Sequence, residues 1–282
     1  MRTERAVSCL AVGHVTLDAY PGDEPAGVEL EVGGSVAYAA RTWQALGAWV
    51  RVVTAAGPDF PRVADAGWEV RPSEKTTRFS NAYDGEGNRR QVLVGQAEVL
   101  VAGEIHAPAD VAFLCPVLHD FAPRPWIAAL AGTPVLAAGL QGWLKHAGPG
   151  GVVEYGPRCD PADFRGLQVA FLSEEDLAGR LDWLDRLCSI VSTVYLTQGR
   201  AGARVFHRGE VQHIGSCPAH EVDPTGAGDT FAAATLWALA QGEGVVEAGC
   251  WGAAAASIMV EHRAVAPLEA LRQIAERRWR LK

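Results

Sequence analysis

Short apolar runs alternate with helical patterns along most of the chain, and this alternation restricts the fold more than any other feature of the sequence. Residues 7–12 read as a buried strand ending at Gly13, residues 35–46 as a helix closed by Gly47, and residues 48–55 as the next strand. The rhythm resumes after residue 110, with strands expected at 111–114, 135–138, 169–172 and 193–197 between helical stretches such as 127–131 and 174–187. Residues 203–214 read as a strand-rich piece turning at Gly209, followed by helices over 226–241 and 246–260 and a charged helix over 267–280. Strands separated by helices are joined by crossovers, so the expected fold class is α/β: a mostly parallel central sheet flanked by helices.

Two stretches break the rhythm. Residues 13–32 are irregular and rich in Pro and Gly. Residues 68–101 carry alternating patterns at 77–83 and 90–94 around Asp84-Gly85-Glu86-Gly87-Asn88, which is a hairpin signal. The expected organisation is one α/β domain over residues 1–282, with a small β lid built from these two insertions. Uncovered strand edges find partners, so the lid leaves a monomer or a lid-mediated homodimer as the expected states.

A formal charge of −8 leaves little to offset phosphate repulsion over a broad face, which disfavours nucleic acid and anionic membranes as partners. The six cysteines are scattered without a CxxC pair and read as reduced thiols of a cytoplasmic protein. The charged first residues precede an apolar run too short for a signal peptide, and no run is long enough to span a bilayer.

The chemistry concentrates in Asp223-Pro224-Thr225-Gly226-Ala227-Gly228-Asp229-Thr230, which opens an Ala-rich helix. Small residues at Gly226, Ala227 and Gly228 let an anion approach the backbone, whose unpaired N–H groups and helix dipole supply positive potential. Asp229 stands beside this anion hole, where its carboxylate can take the proton of a hydroxyl that attacks phosphorus. A helix cap at Asp223 or Thr225 with a tight glycine turn is the plain structural alternative. There is no GxGxxG after the first strand and no GxxxxGK[ST], which argues against a dinucleotide-binding oxidoreductase and a P-loop NTPase.

The run Asp223 to Phe231, DPTGAGDTF, resembles the signature of the PfkB (ribokinase-like) family of carbohydrate and nucleoside kinases. Gly13 with Asp18, the Gly33-Gly34 pair opening a helix, and Gly57-Pro58-Asp59-Phe60 are similar to that family's amino-terminal pattern. The resemblance implies a ribokinase-like fold and a kinase using ATP and Mg2+, with a monovalent cation such as K+ left open. It assigns Asp229 as base and Gly226, Ala227 and Gly228 as the anion hole, and places substrate hydroxyls on Asp18, Gly33 and Gly34. Where many members have Asn after the double glycine and again three residues on, this chain has Ser35 and Tyr38, which implies a tighter and more aromatic pocket. Ser173-Glu174-Glu175-Asp176 takes the place of an Asn-x-x-Glu motif that organises magnesium, pointing to Asp176 and Glu175, although Ser followed by acids is also what a helix start prefers. Thr197, Gly199 and Gly202 match a T-x-G-x-x-G turn bordering the nucleotide, together with Thr225, Gly226 and Gly228. Cys250, Ala253, Ala254 and Ser257 share a helical face that either borders adenine or packs in the core, the latter being the preferred reading.

Gly139-Leu140-Gln141-Gly142-Trp143-Leu144-Lys145 resembles the D-x-Q-G-[FY]-[LI]-R segment of members that include inositol kinase-like proteins, with Gly139 in place of the acid. Gln141 and Arg90, the latter on the lid hairpin, are the expected polyol contacts. The expected activity is therefore transfer of the γ-phosphoryl group of ATP to a small polyol or sugar, inositol-like favoured. The alternatives are a non-catalytic binder of polyol or nucleotide and a nucleoside kinase of the same fold.

Overall fold

The computed structural model describes residues 6–19, 31–61, 67–83, 89–103, 109–262, 266–271 and 273–274. The strands of the first half are β1 (Ser8–Val12), β2 (Thr16–Ala19), β3 (Glu31–Gly33), β4 (Trp49–Ala56), β5 (Trp68–Pro72), β6 (Thr77–Tyr83), β7 (Arg89–Gly95), β8 (Val111–Leu114) and β9 (Val135–Gly139). The second half adds β10 (Lys145–Ala147), β11 (Val153–Tyr155), β12 (Val169–Ser173), β13 (Thr193–Thr197), β14 (Ala203–His207) and β15 (Glu210–Ile214). The helices are α1 (Ser35–Ala45), α2 (Pro123–Ala129), α3 (Gln141–Leu144), α4 (Glu174–Leu177), α5 (Leu181–Cys188), α6 (Ala227–Ala240), α7 (Val245–Met259) and α8 (Leu268–Leu271). None of them is long and apolar enough to cross a membrane.

The main sheet has the order β15-β14-β13-β12-β9-β8-β1-β4-β5, which is the ribokinase-like α/β arrangement. Its strands from β13 to β5 run parallel, while β14 and β15 complete one edge antiparallel. Parallel strands covered on both faces need side chains that are apolar in both directions, and Val111–Leu114 is buried at every position. Leu10, Val12 and Leu114 face a layer holding Trp126, Trp143 and Trp183, whereas Cys9, Ala11 and Phe113 face Trp43 and Phe231. The indole N–H of Trp43 donates to the Ala233 carbonyl at 2.8 Å, which locks α1 against α6 and sets their first turns side by side.

A second sheet, β3-β2-β6-β7, forms the lid. The lid is smaller than the insertions suggest. Trp68–Pro72 pairs parallel with Val52–Ala56 at the main-sheet edge, and Ala97 and Leu100 are buried in the main core. Residues 20–30 and the 84–88 turn lie outside the described residues. The connections between the two sheets meet at one buried point. His14 donates its backbone N–H to Asp120 at 2.7 Å, and its Nε2 lies 3.0 Å from the Glu98 carbonyl, which can only accept. Its Nδ1 then accepts from the Thr77 hydroxyl at 2.9 Å, and that oxygen accepts the Ala97 N–H at 3.0 Å. Asp120 also takes the N–H groups of Val117 and Leu118 at 3.0 and 2.9 Å.

Three local readings are corrected. The helix expected over 174–187 is two helices, because Ala178 and Gly179 take left-handed backbone conformations with φ of 46° and 80°. The β10–β11 hairpin, bridged to the lid through Val92 and Val152, has no counterpart in the sequence reading. Of the terminal helix expected over 267–280, Leu268–Leu271 is helical, and the part beyond residue 274 lies outside the described residues.

Candidate active site

Two cavities open at the carboxyl ends of the parallel strands, where ligands bind open α/β sheets. The larger, about 500 Å³, lies between the lid and the first turns of α1 and α6, and the smaller, about 340 Å³, lies between the β13–β14 turn and α7. They share Thr197, Pro224 and Gly228, so they meet at the start of α6.

The local chemistry of residues 223–230 explains this meeting point. The Asp223 carboxylate accepts the Thr225 N–H at 2.8 Å, closing a turn that presents Gly226 as the N-cap of α6. Gly226 holds φ of 77°, a left-handed conformation, and a Cβ there would run into the Tyr38 ring. No side chain caps α6, and a Cβ on Gly228 would meet nothing within 4 Å, so the first turn offers bare main chain beside open space. Those features suit an oxyanion more than a structural turn.

Asp229 is half-buried on the wall of the larger cavity. Burial pushes its carboxyl from 3.8 up to about 6; a hydrogen bond from the Ser35 hydroxyl and the charge of Lys145 pull it back, while Asp176 adds to the rise. A carboxylate poised there is ionised at neutral pH yet basic enough to accept a proton in a transition state. Lys145, only 6% exposed, lines the same cavity with its Nζ 5.4 Å from the Tyr155 ring centroid.

Ser173 and Asp176 form a reciprocal capping box on α4: the Ser173 N–H donates to Asp176 Oδ2 at 2.7 Å, and the Asp176 N–H donates to Ser173 Oγ at 3.2 Å. The cap reading is therefore realised, but it uses one carboxylate oxygen. Oδ1 is shielded from water and accepts no hydrogen bond, and Asp176 and Glu175 both line the larger cavity. Burial raises the Asp176 pKa, against the Ser173 amide, the Lys145 charge, and the Ser173 and Gln141 side chains. Among the described residues no cluster of three or more metal-ligating side chains occurs. One or two carboxylates fit Mg2+ that arrives with phosphates and keeps its waters, and Glu175 and Asp176 supply that number on the cavity wall.

The larger cavity also takes in the expected residues Asp18, Gly34, Tyr38, Gln141, Thr197 and Thr225. Gly33 stays outside its lining but makes room for it, because a Cβ there would strike Asp18 Oδ2 and Thr16 Oγ1. Gly199, Gly202 and Ala227 fall on the smaller cavity instead, along with Ala253, Ala256 and Ser257 of α7. Part of the α7 face read as core packing thus borders a cavity, while Ala254 is fully buried in the core and Cys250 lines neither cavity. Arg90 is a correction: it is exposed and lines neither cavity, because strand alternation turns its neighbour Gln91 inward. The expected acid at position 139 has little room, since a Cβ on Gly139 would lie 3.2 Å from the Phe113 ring. Sequence reasoning missed Gln91 and Lys145. The signal for Lys145 was available, because it occupies the basic position that ends the 139–145 segment.

The family model described as pfkB family carbohydrate kinase matches residues 167–270. The chain is 25% identical over 243 residues to the inositol 3-kinase of Arabidopsis thaliana, an alignment covering 82% of this chain and 68% of that protein. It is 37% identical over 97 residues to the inositol 3-kinase of Zea mays, covering 32% of this chain and 24% of that protein. Among solved structures, a pyrophosphate-dependent kinase in the ribokinase family, complexed with a pyrophosphate analog and myo-inositol, superposes with a TM-score of 0.77. That match covers 93% of this chain and 98% of the other at 22% identity.

Proposed function

We propose that the chain is a carbohydrate kinase of the PfkB kind, whose family model matches residues 167–270, and that it moves the γ-phosphoryl group of ATP onto a hydroxyl of a small neutral polyol or sugar, inositol-like favoured. The observation that carries this reading is the junction of the two cavities at Gly228, with Asp229 on the acceptor side of it.

The acceptor rests in the larger cavity, where Asp18, Gln141 and Tyr38 meet its hydroxyls. Asp18, Glu175, Asp176 and Asp229 outnumber Lys145 on that wall, which selects a neutral acceptor over a phosphorylated one. The nucleoside of ATP occupies the smaller cavity between the Gly199–Gly202 turn and α7, and its phosphates run to the first turn of α6. Asp229 takes the hydroxyl proton as the oxygen attacks the γ-phosphorus, and the amides of residues 226–228 receive charge that builds on the phosphoryl oxygens. Lys145 keeps Asp229 ionised and offsets the charge shared by donor and acids. Asp176 and Glu175 would hold Mg2+, and the bound ion would neutralise phosphate charge.

The 22% identity relative uses pyrophosphate, so the donor is itself part of the test. Purified protein is incubated with terminally labelled ATP or labelled pyrophosphate and myo-inositol, fructose, ribose or a nucleoside, and product is separated by anion exchange. The proposal expects label on myo-inositol or a sugar with ATP as donor. Label transferred to nucleosides alone, or to no acceptor, would sink it.

A further inference from the structure

We infer that the β10–β11 hairpin is a strut between the lid and the catalytic wall, which makes Val153 and Gly151 positioning residues for Lys145; the inference rests on reading Lys145 as the cation that serves Asp229. The base and the tip of the hairpin touch different parts of the molecule. At the base, Lys145 stands opposite Tyr155 in the antiparallel register, and both line the larger cavity. Two residues along, Val153 falls on the same face as Tyr155 by strand alternation, and it is buried with Phe79, Val117 and Leu118, with Leu93 packed against them. Phe79 and Leu93 belong to the lid strands β6 and β7. The main chain of the tip meets the lid too: Val152 bridges to Val92, and a Cβ on Gly151 would strike the Leu93 carbonyl oxygen. Between base and tip the strands are tied together, by the Gly148 N–H donating to the Val152 carbonyl at 2.7 Å and by His146 Nε2 lying 2.8 Å from the Glu154 carboxylate. A displacement at the tip is therefore carried to Lys145.

Lys145 matters at Asp229 because of what surrounds that carboxylate. It accepts from the Ser35 hydroxyl of α1 and faces Lys145 from β10 and Asp176 from α4, while Asp18 of β2 and Glu175 of α4 line the same cavity. The Cys115 thiol, just past the end of β8, also feels the Asp229 charge and is kept neutral by burial. Lys145 is the one cation on this wall among the described residues. Its attraction for Asp229 falls with distance, and burial keeps that dependence steep. The two consequences of a loosened tip have opposite signs. Moving Lys145 away raises the Asp229 pKa, whereas letting water in would lower it, because burial is the largest cause of its elevation. The sign of the change thus tells a strut from a general loosening.

The test reads Asp229 directly, in protein without substrate. The chain is labelled with 13C at the aspartate carboxyls, the Asp229 signal is assigned by its loss in Asp229→Asn, and its titration is followed by NMR. The wild type should titrate near pH 6. Val153→Ser removes the apolar contact and Gly151→Ala wedges the tip off β7, so the two variants loosen the strut by unrelated means and the result does not hang on either one folding. Both are expected to raise the midpoint by about half a pH unit, with the melting temperature lower by only a few degrees. Val153→Ile, which keeps the contact, should titrate as the wild type does. In a Lys145→Met background neither loosening variant should move the midpoint further. An unmoved or lowered midpoint in the folded variants, or the same rise when Lys145 is absent, would overturn the strut. Because no turnover is needed, that outcome is separate from failure of the kinase reading, which label transfer decides.

Discussion

The two cavities are walled differently. The larger cavity, proposed for the acceptor, has many side chains that carry charge or hydrogen bonds, among them Asp18, Gln91, Gln141, Lys145, Asp176 and Asp229. The smaller cavity, proposed for the donor, is walled more by glycine, alanine and proline, among them Gly199, Gly202, Ala253, Ala256 and Pro218, with Arg200 and Glu221 as its charged residues. Every departure from the family pattern noted in the sequence, at Ser35, Tyr38, Gly139, Ser173 and Asp176, lines the larger cavity. A site read by side chains changes its ligand one residue at a time, whereas a site read by backbone shape tolerates few changes because the glycines themselves set the path.

Substitutions on each side separate these behaviours. Asp229→Asn has the largest expected effect, a loss on the order of 10³-fold in kcat with ATP binding retained, measured by steady-state kinetics and calorimetry. Its melting temperature should rise. The carboxyl has a folded-state pKa of about 6 against 3.8 ordinarily, so the folded state binds the proton more tightly and loses relative stability as pH climbs through that interval. An amide avoids the cost, and a fall in melting temperature would contradict the assigned burial. The same pKa places the acid limb of the wild-type kcat/KM profile near pH 6, with activity rising as Asp229 ionises.

Lys145→Met comes next, with a kcat lower by roughly 10²-fold. Since Lys145 pulls the Asp229 pKa down, its removal should move the acid limb to higher pH; a limb that stays put would show that the two groups do not communicate. On the donor side, Gly202→Ala forces a side chain onto a residue with φ of 92° and against the Ile214 carbonyl. The KM for ATP should rise about ten-fold with that for the acceptor unchanged, a strain effect of roughly 1–2 kcal/mol. Equal changes in both would erase the distinction between the cavities. Arg90→Ala should be the smallest, under about two-fold in any constant, because an exposed side chain outside both cavities has little to lose.

The turn at the start of α6 was readable in advance because backbone demands select residue types directly. A left-handed N-cap and the nearby Tyr38 ring call for glycine at Gly226, and the strand-to-helix context placed it. The acceptor side was readable only in part. Arg90 and Gln91 are adjacent, and which of them turns inward depends on the β6–β7 register, a single-residue phase that the hairpin pattern did not decide. Lys145 is buried by contacts between the 139–145 segment and residues far along the chain, so its environment is a tertiary property. Trp68–Pro72 was placed with the lid because its own sequence says nothing about its partner, β4, which is reached through a parallel crossover.

The buried point at His14 has a consequence for how such a molecule diversifies. Because the crossings between the sheets are pinned by His14, Thr77 and Asp120, the stretch from residue 78 to residue 95 is a cassette with fixed sockets. A hairpin borrowed from a relative and grafted between those sockets inherits the docking and brings its own inward-facing residues. Substrate repertoires can then be shuffled by recombination without disturbing the machinery that handles phosphate.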